Sequence, residues 1–460
     1  MAVRLAISSV SRREGAAAGV LDGVTPGAVV LALALPPLFL HASFQPSLGI
    51  GSAQGMLSDF AVAAVVVAAL VEGVRLGFAP LRPGRWLWLA GIAFSAWIAI
   101  AVLYGHARFG AYPWHRHGVT AAKWYEYMLL APAVPLLVRR RRDLELVLLS
   151  LALWSAAATI VGLAQFLGAD VAGGGTFGRR QSSFLGSSDF AALSGAALLA
   201  GVVVARERRA LSWLLVAAGT LGAILAGSLS GMLGIATALG IGLVALALRR
   251  GAGRRVVAVS ALLAVVVAGS LAIRTADLSS FHRFLGGKQA FENRSKVQTE
   301  AQRTTLAYIG LRIWLDDPLL GVGWLGSSDP YAFEPYIPAA RRRFPNQPAS
   351  AFPSPARRLG VQDLYIQALA DLGVVGLAAL LALFGTGLAM AVRSPGEPPG
   401  SPGAPSTGPL TRTGGFAAAW LVLVLWLWTA QGFVAGIPLD ALTWLAFGLA
   451  AARIPERARA

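Results

Sequence analysis

The stretch "VQDLYIQALADLGVVGLAALLALF" (361–384) decides what kind of protein this is. Its second half is a continuous run of Leu, Ala, Val and Gly, without the period-2 alternation of a strand, and so predicts a membrane helix. Its first half carries Gln362, Asp363, Gln367 and Asp371, just where the chain should be entering lipid. Polar groups inside a bilayer are costly, and they are normally paired, buried in the bundle or functional.

The same apolar character extends over the whole chain. Of 460 residues, 56% are hydrophobic and 13% charged, and the mean hydropathy is +0.64. That composition fits repeated spans of about 20 apolar residues, each long enough to cross roughly 30 Å of hydrocarbon. In lipid every backbone polar group needs an internal partner, which leaves helices or closed barrels, and the long Leu/Ala/Val runs choose helices. The expected fold is an all-α polytopic membrane protein. Twelve spans are expected, near 27–43, 59–77, 86–104, 121–138, 144–166, 183–205, 211–227, 231–248, 256–273, 362–392, 414–431 and 439–453.

The formal net charge of +17 would suggest nucleic acid in a soluble protein. In a membrane protein it must first be divided by side, because Lys and Arg in short loops set orientation. One side holds 22 Arg, from the N-terminus, residues 75–85, 139–142, 206–209, 249–255, 393–412 and the tail. That side is expected to be cytoplasmic, with both termini on it, a retained first span and no nucleic-acid partner. The organisation expected is an N-terminal segment (1–26), nine helices (27–273), a large external loop (274–361), three further helices (362–453) around a Pro/Gly-rich cytoplasmic linker (394–409), and a tail (454–460). The chain has no Cys, so it has neither disulfides nor a thiol nucleophile.

The external loop is far longer than a connection needs, and loops of that length are usually functional or disordered. Residues 299–316 read as a helix with Leu306, Ile309 and Ile313 on one face, ended by Asp317-Pro318. "GVG" (321–323) supplies a turn, and the Pro-rich run from Glu334 to Arg358 reads as an irregular lid. The loop carries twelve Lys/Arg against seven Asp/Glu. Such a surface could simply meet anionic headgroups, or it could hold a diphosphate, whose oxygens guanidinium groups match bidentately.

Together, "RTTLAYIGLRIWLDDPLLGVG" (303–323) and "QDLYIQALADLGVVG" (362–376) resemble the two most specific segments of the O-antigen ligase and O-antigen polymerase superfamily. "GRRQSSFLGSSDFAALSG" (178–195) is similar to a weaker early segment of the same family. The resemblance implies a membrane glycosyltransferase at the outer face of the cytoplasmic membrane, in cell-surface polysaccharide biosynthesis. It would move or polymerise a glycan from an undecaprenyl-diphosphate carrier onto an acceptor glycan or glycolipid hydroxyl. It implies no cofactor, no nucleotide sugar and no metal.

By family position, Arg303 would hold the carrier diphosphate, helped by Arg180 and Arg312. Two departures stand out. The family's His is Gln362 here and its Asn is Asp363; and Leu229 stands where the family often has an Arg. A neutral amide does not titrate, so Asp363 could accept the proton with Gln362 as partner; equally, Asp363 could only cap a helix N-terminus. Gln367 and Asp371 continue a polar stripe from Asp363, read as interhelical hydrogen bonding. Lys123 and Glu126 read as an i, i+3 ion pair, and His115 and His117 as a weak proton or metal pair. Two other classes stay open. One is a transporter, which would need polar groups near mid-membrane in several spans. The other is a family member that binds carrier or glycan without catalysis.

Overall fold

The computed structural model describes residues 23–50, 53–173, 178–204, 208–248, 253–285, 299–393, 411–433 and 438–454. The expected linker 394–409 lies outside them, as do most of the N-terminal segment and tail and residues 286–298 of the long loop. In chain order the helices are α1 (Pro26–Leu38), α2 (Leu57–Leu76), α3 (Arg85–Arg108), α4 (Trp114–Met128), α5 (Leu130–Leu137), α6 (Arg141–Phe166), α7 (Ser187–Val203), α8 (Arg209–Ala226) and α9 (Leu229–Ala247). They continue as α10 (Gly253–Ile273), α11 (Thr275–Leu285), α12 (Thr299–Asp316), α13 (Pro330–Phe333), α14 (Ile337–Arg343), α15 (Leu364–Val392), α16 (Arg412–Leu427) and α17 (Pro438–Ala451). One antiparallel hairpin, β1 (Ser47–Ile50) and β2 (Ala53–Met56), joins α1 to α2.

Among the described residues, eight helical segments are long and apolar enough to cross a membrane, and α1, α7 and α17 are shorter apolar helices. The span expected at 121–138 is not one helix. It divides at Leu129 into amphipathic α4, which starts seven residues earlier, and the eight-residue α5. Pro132 falls in the first turn of α5, and its missing N–H and its ring, which would crowd the Met128 carbonyl, disfavour a helix continuous through Leu129.

The short helices make the centre. Every residue of α17 is buried, as are Ser188 to Gly201 of α7. A helix apolar all round is stable only where protein surrounds it or lipid does. Peripheral α10 shows the other case, with Val259, Val266 and Ser270 buried and Val257 and Val265 exposed. Small residues let the central helices approach closely. A Cβ on Gly219 of α8 would meet the Leu198 and Ser194 backbone of α7, and one on Gly222 would strike the Ser194 and Thr159 side chains.

The long loop is anchored rather than draped. Helix α12 forms over the expected residues and buries Leu306, Ile309 and Ile313. After Pro318 the chain lies against α15: Val322 and Gly323 donate to the Ala370 and Asp371 carbonyls at 2.9 and 3.0 Å, and Val374 donates to Pro318 O at 2.9 Å. This joint explains the glycines. Gly373 interrupts α15 with φ +67°, and Gly321 also has φ +67°; a side chain on either would run into the opposing backbone. Trp324 then plunges into the bundle, fully buried among Trp124 and Phe433, with its Nε1 donating to Thr120 Oγ1 at 3.1 Å. The Pro-rich run is more ordered than an irregular lid. Ala339 to Arg343 are good helix formers, and Pro338 falls in the first turn of α14, where a missing N–H costs nothing.

Candidate functional site

Several helix ends meet at one end of the bundle, around a cavity of about 130 Å³. Ser187 and Ser188 open α7; Ser228 caps α9, which Leu229 and Ser230 begin; and Thr429 and Ala430 follow α16. Arg274 directly follows α10, and Glu300 and Arg303 come from the start of α12. The hairpin of α8 and α9 turns at Gly227, in the left-handed region at φ +54°. A Cβ there would lie 3.0 Å from Arg180 Cβ and 3.5 Å from Arg274 Cγ, so both arginines pack over this turn. The neighbouring Gln181 N–H donates to Leu225 O at 2.7 Å, which ties the segment carrying Arg180 to the end of α8.

The cavity is rich in positive charge. Three guanidinium groups line it, against the single carboxylate of Glu300. Arg274 has only 2% of its side chain exposed, and its Nη2 donates to Glu300 Oε1 at 3.2 Å. Arg303 Nη1 donates to the same oxygen at 3.4 Å. Arg180 Nη2 donates to the hydroxyl of Thr299 at 3.3 Å. Burial and then the nearby Arg274 lower the Arg180 guanidinium from its ordinary value, with Arg303 adding to this and Asp277 and Glu300 opposing it. Guanidinium groups keep their charge even so, and the three remain cationic side by side. The N-termini of α7 and α9 add their partial positive charge, and exposed N–H groups at helix starts bind oxyanions.

Two of the residues singled out in the sequence, Arg303 and Arg180, therefore come together. Gln362 joins them, its amide oxygen accepting from Arg303 Nε at 3.3 Å. Asp363 caps α15: its Oδ1 accepts from the Tyr365 and Ile366 N–H groups, each at 3.0 Å. Arg312 does not line the cavity; it lies 5.3 Å over the Tyr308 ring, with Nε 3.2 Å from the hydroxyl. The remaining polar stripe makes structural bonds. Gln367 accepts from Phe433 N at 2.5 Å and Asp371 from Ser327 N at 2.7 Å. Lys123 pairs with Glu126 at 3.6 Å and also with Asp59 of α2. His115 stacks on Trp114. His117 is buried against Asp329 of the long loop at 2.5 Å.

Arg274, Glu300 and the serines at 228 and 230 were not singled out from the sequence. Arg274 had a signal, being a lone Arg at the end of an apolar run opposite the Arg-rich side. Glu300 had only its i, i+3 spacing to Arg303. The Leu229 departure also becomes clearer. Leu229 does line the cavity, and Arg180 and Arg274 lie beside it, so the site has cations despite that leucine.

A family model described as O-Antigen ligase matches residues 214–381. The matched segment covers less than half the chain, but it runs from within α8 to past the middle of α15 and contains Leu229, Arg274, Glu300, Arg303, Gln362 and Asp363. Arg180 and α7 lie outside it. No curated protein matches the chain.

Proposed function

From this place in the O-antigen ligase and polymerase superfamily, with a bundle of apolar helices around it, we propose that the cavity binds the diphosphate of an undecaprenyl-linked glycan. The chain then transfers or polymerises that glycan onto the hydroxyl of an acceptor glycan or glycolipid. The observation that carries this reading is the meeting of Arg180, Arg274 and Arg303 on one cavity at two helix N-termini. A lipid diphosphate offers several phosphate oxygens to cations held in place before it arrives. As the glycosyl bond breaks, charge grows on the leaving oxygen, and fixed donors stabilise it without reorganising. Gln362 orients the Arg303 guanidinium, and Asp363 positions Gln362 by capping α15.

The cavity's location favours this chemistry over transport. Its charged groups lie in the segment before α7, just after α10 and in the opening turns of α12 rather than in mid-helix. In this reading the cavity end and the loop 274–361 face outward from the cytoplasmic membrane, and the Arg-rich side faces the cytoplasm. The test is binding of undecaprenyl diphosphate to the purified chain in lipid nanodiscs, together with the glycans of a deletion strain. Tight, salt-sensitive binding lost in R303A, with accumulated carrier-linked repeats in the strain, is the expected result. Unchanged surface glycan with altered solute uptake would point to transport instead.

A further inference from the structure

Glycan transfer to a hydroxyl needs somewhere for the hydroxyl proton to go. Among the side chains lining the cavity, Glu300 is the one carboxylate. The others are Arg, Ser, Thr, Leu and Ala, none of which accepts a proton readily at neutral pH. Gln362, bonded to Arg303, is a neutral amide, and Asp363 caps α15 through Oδ1 and does not line the cavity. Asp277 reaches Arg274 at 3.5 Å but does not line the cavity. Glu300 is 19% exposed and stands between Arg274 and Arg303, with both hydrogen bonds falling on its Oε1.

We propose that Glu300 is the catalytic proton acceptor of the transfer reaction, standing on the cavity between Arg274 and Arg303, the two guanidinium groups that the diphosphate engages. The proposal rests on the reading of the cavity as a diphosphate site. The acceptor oxygen forms a bond to the anomeric carbon. The bond from that carbon to the diphosphate oxygen breaks, and the lipid diphosphate leaves with the electron pair. The hydroxyl proton passes to the Glu300 carboxylate and from there to water.

The experiment compares E300Q and E300D with wild type in two measurements. One is affinity for undecaprenyl diphosphate in nanodiscs. The other is the rate at which purified protein consumes carrier-linked glycan extracted from a deletion strain. For E300Q, transfer should fall by about 100-fold or more, the usual share of a general base. Its affinity for undecaprenyl diphosphate should hold or tighten, because a competing internal anion has become neutral. E300D, a shorter carboxylate, should recover part of the transfer rate. Wild-type transfer by E300Q would overturn the proposal. So would loss of diphosphate binding in both E300Q and E300D, which would make Glu300 a scaffold for the arginines. If R303A binds undecaprenyl diphosphate as tightly as wild type, the cavity reading itself fails and the proposal with it, whatever E300Q does.

Discussion

Two charged clusters of this molecule look alike in composition and differ in what surrounds them. Each is built around a carboxylate that faces at least two arginines. At Asp329, the carboxylate is 2% exposed, and both oxygens are engaged: His117 at 2.5 Å, Arg358 at 3.0 Å and Arg116 at 3.8 Å. That cluster joins α4 to the long loop, and its residues do not line the arginine-rich cavity. At Glu300, Arg274 and Arg303 share one oxygen, Arg180 stands nearby on a threonine hydroxyl, and all face open volume. The first arrangement is a clasp; the second has room and charge for an anion. Counting cations along the sequence does not separate them, since the difference lies in how the partners are placed around the carboxylate.

The comparison breaks most decisively at the arginines of the cavity. R274A and R303A should each lower glycan transfer by about 100-fold to 1,000-fold, the range for removing one fixed donor to a developing oxyanion. R358A, at the clasp, should leave the transfer rate within about threefold, since an exposed partner of a buried carboxylate contributes little to distant chemistry. Both are read from consumption of carrier-linked glycan by purified protein. Equal losses in the two clusters would mean that the clasp takes part in the reaction.

Stability should separate the clusters in the opposite sense. D329A leaves the buried His117 without its hydrogen-bond partner, and an unsatisfied buried polar group costs about 1–3 kcal/mol. A clear drop in the melting temperature of the detergent-solubilised protein is expected, larger than that of R303A, whose side chain is 21% exposed. Gly373→Ala sharpens the comparison by striking the joint that holds the loop to α15. A left-handed residue pressed against Leu319 O cannot take a methyl group without strain, and about 1–3 kcal/mol should be lost, again seen in thermal melting. Diphosphate affinity should fall modestly as α12 shifts. The smallest effect belongs to R312A. Its guanidinium rests on Tyr308 away from the cavity, so undecaprenyl-diphosphate affinity should stay within about twofold of wild type, the scale of an exposed contact.

Much of the architecture was legible along the chain because hydrophobic runs and helix stops act locally. The amphipathic helix at 299–316 could be read from three apolar positions and a proline, and it forms with those bounds. Where the reading failed, at 121–138, the apolar count outweighed Pro132, whose cost is paid only in a continuous ladder. The site was legible in part. Arg303 and Arg180 were named and do meet, while Arg312 was named and lies elsewhere, on a different face of the same helix as Arg303. Asp363 had two readings, and the capping bonds are the ones its geometry makes.

The opening stretch divides along the same line. Sequence alone determined that 361–384 is a membrane-helix run with a polar head, because apolar length and polar spacing are properties of consecutive residues. Tertiary structure alone decided what each polar group does. Gln362 turns to an arginine 59 positions earlier, Gln367 to a backbone N–H 66 positions later, and Asp371 to a loop 44 positions back. Those partners come from α12, from the segment after α16 and from the anchored loop, and no local pattern encodes which of them will arrive. The cavity has the same origin. A hydrogen bond or an ion pair acts over about 3 Å, so three arginines spread across 123 positions form one site only after the helices have packed.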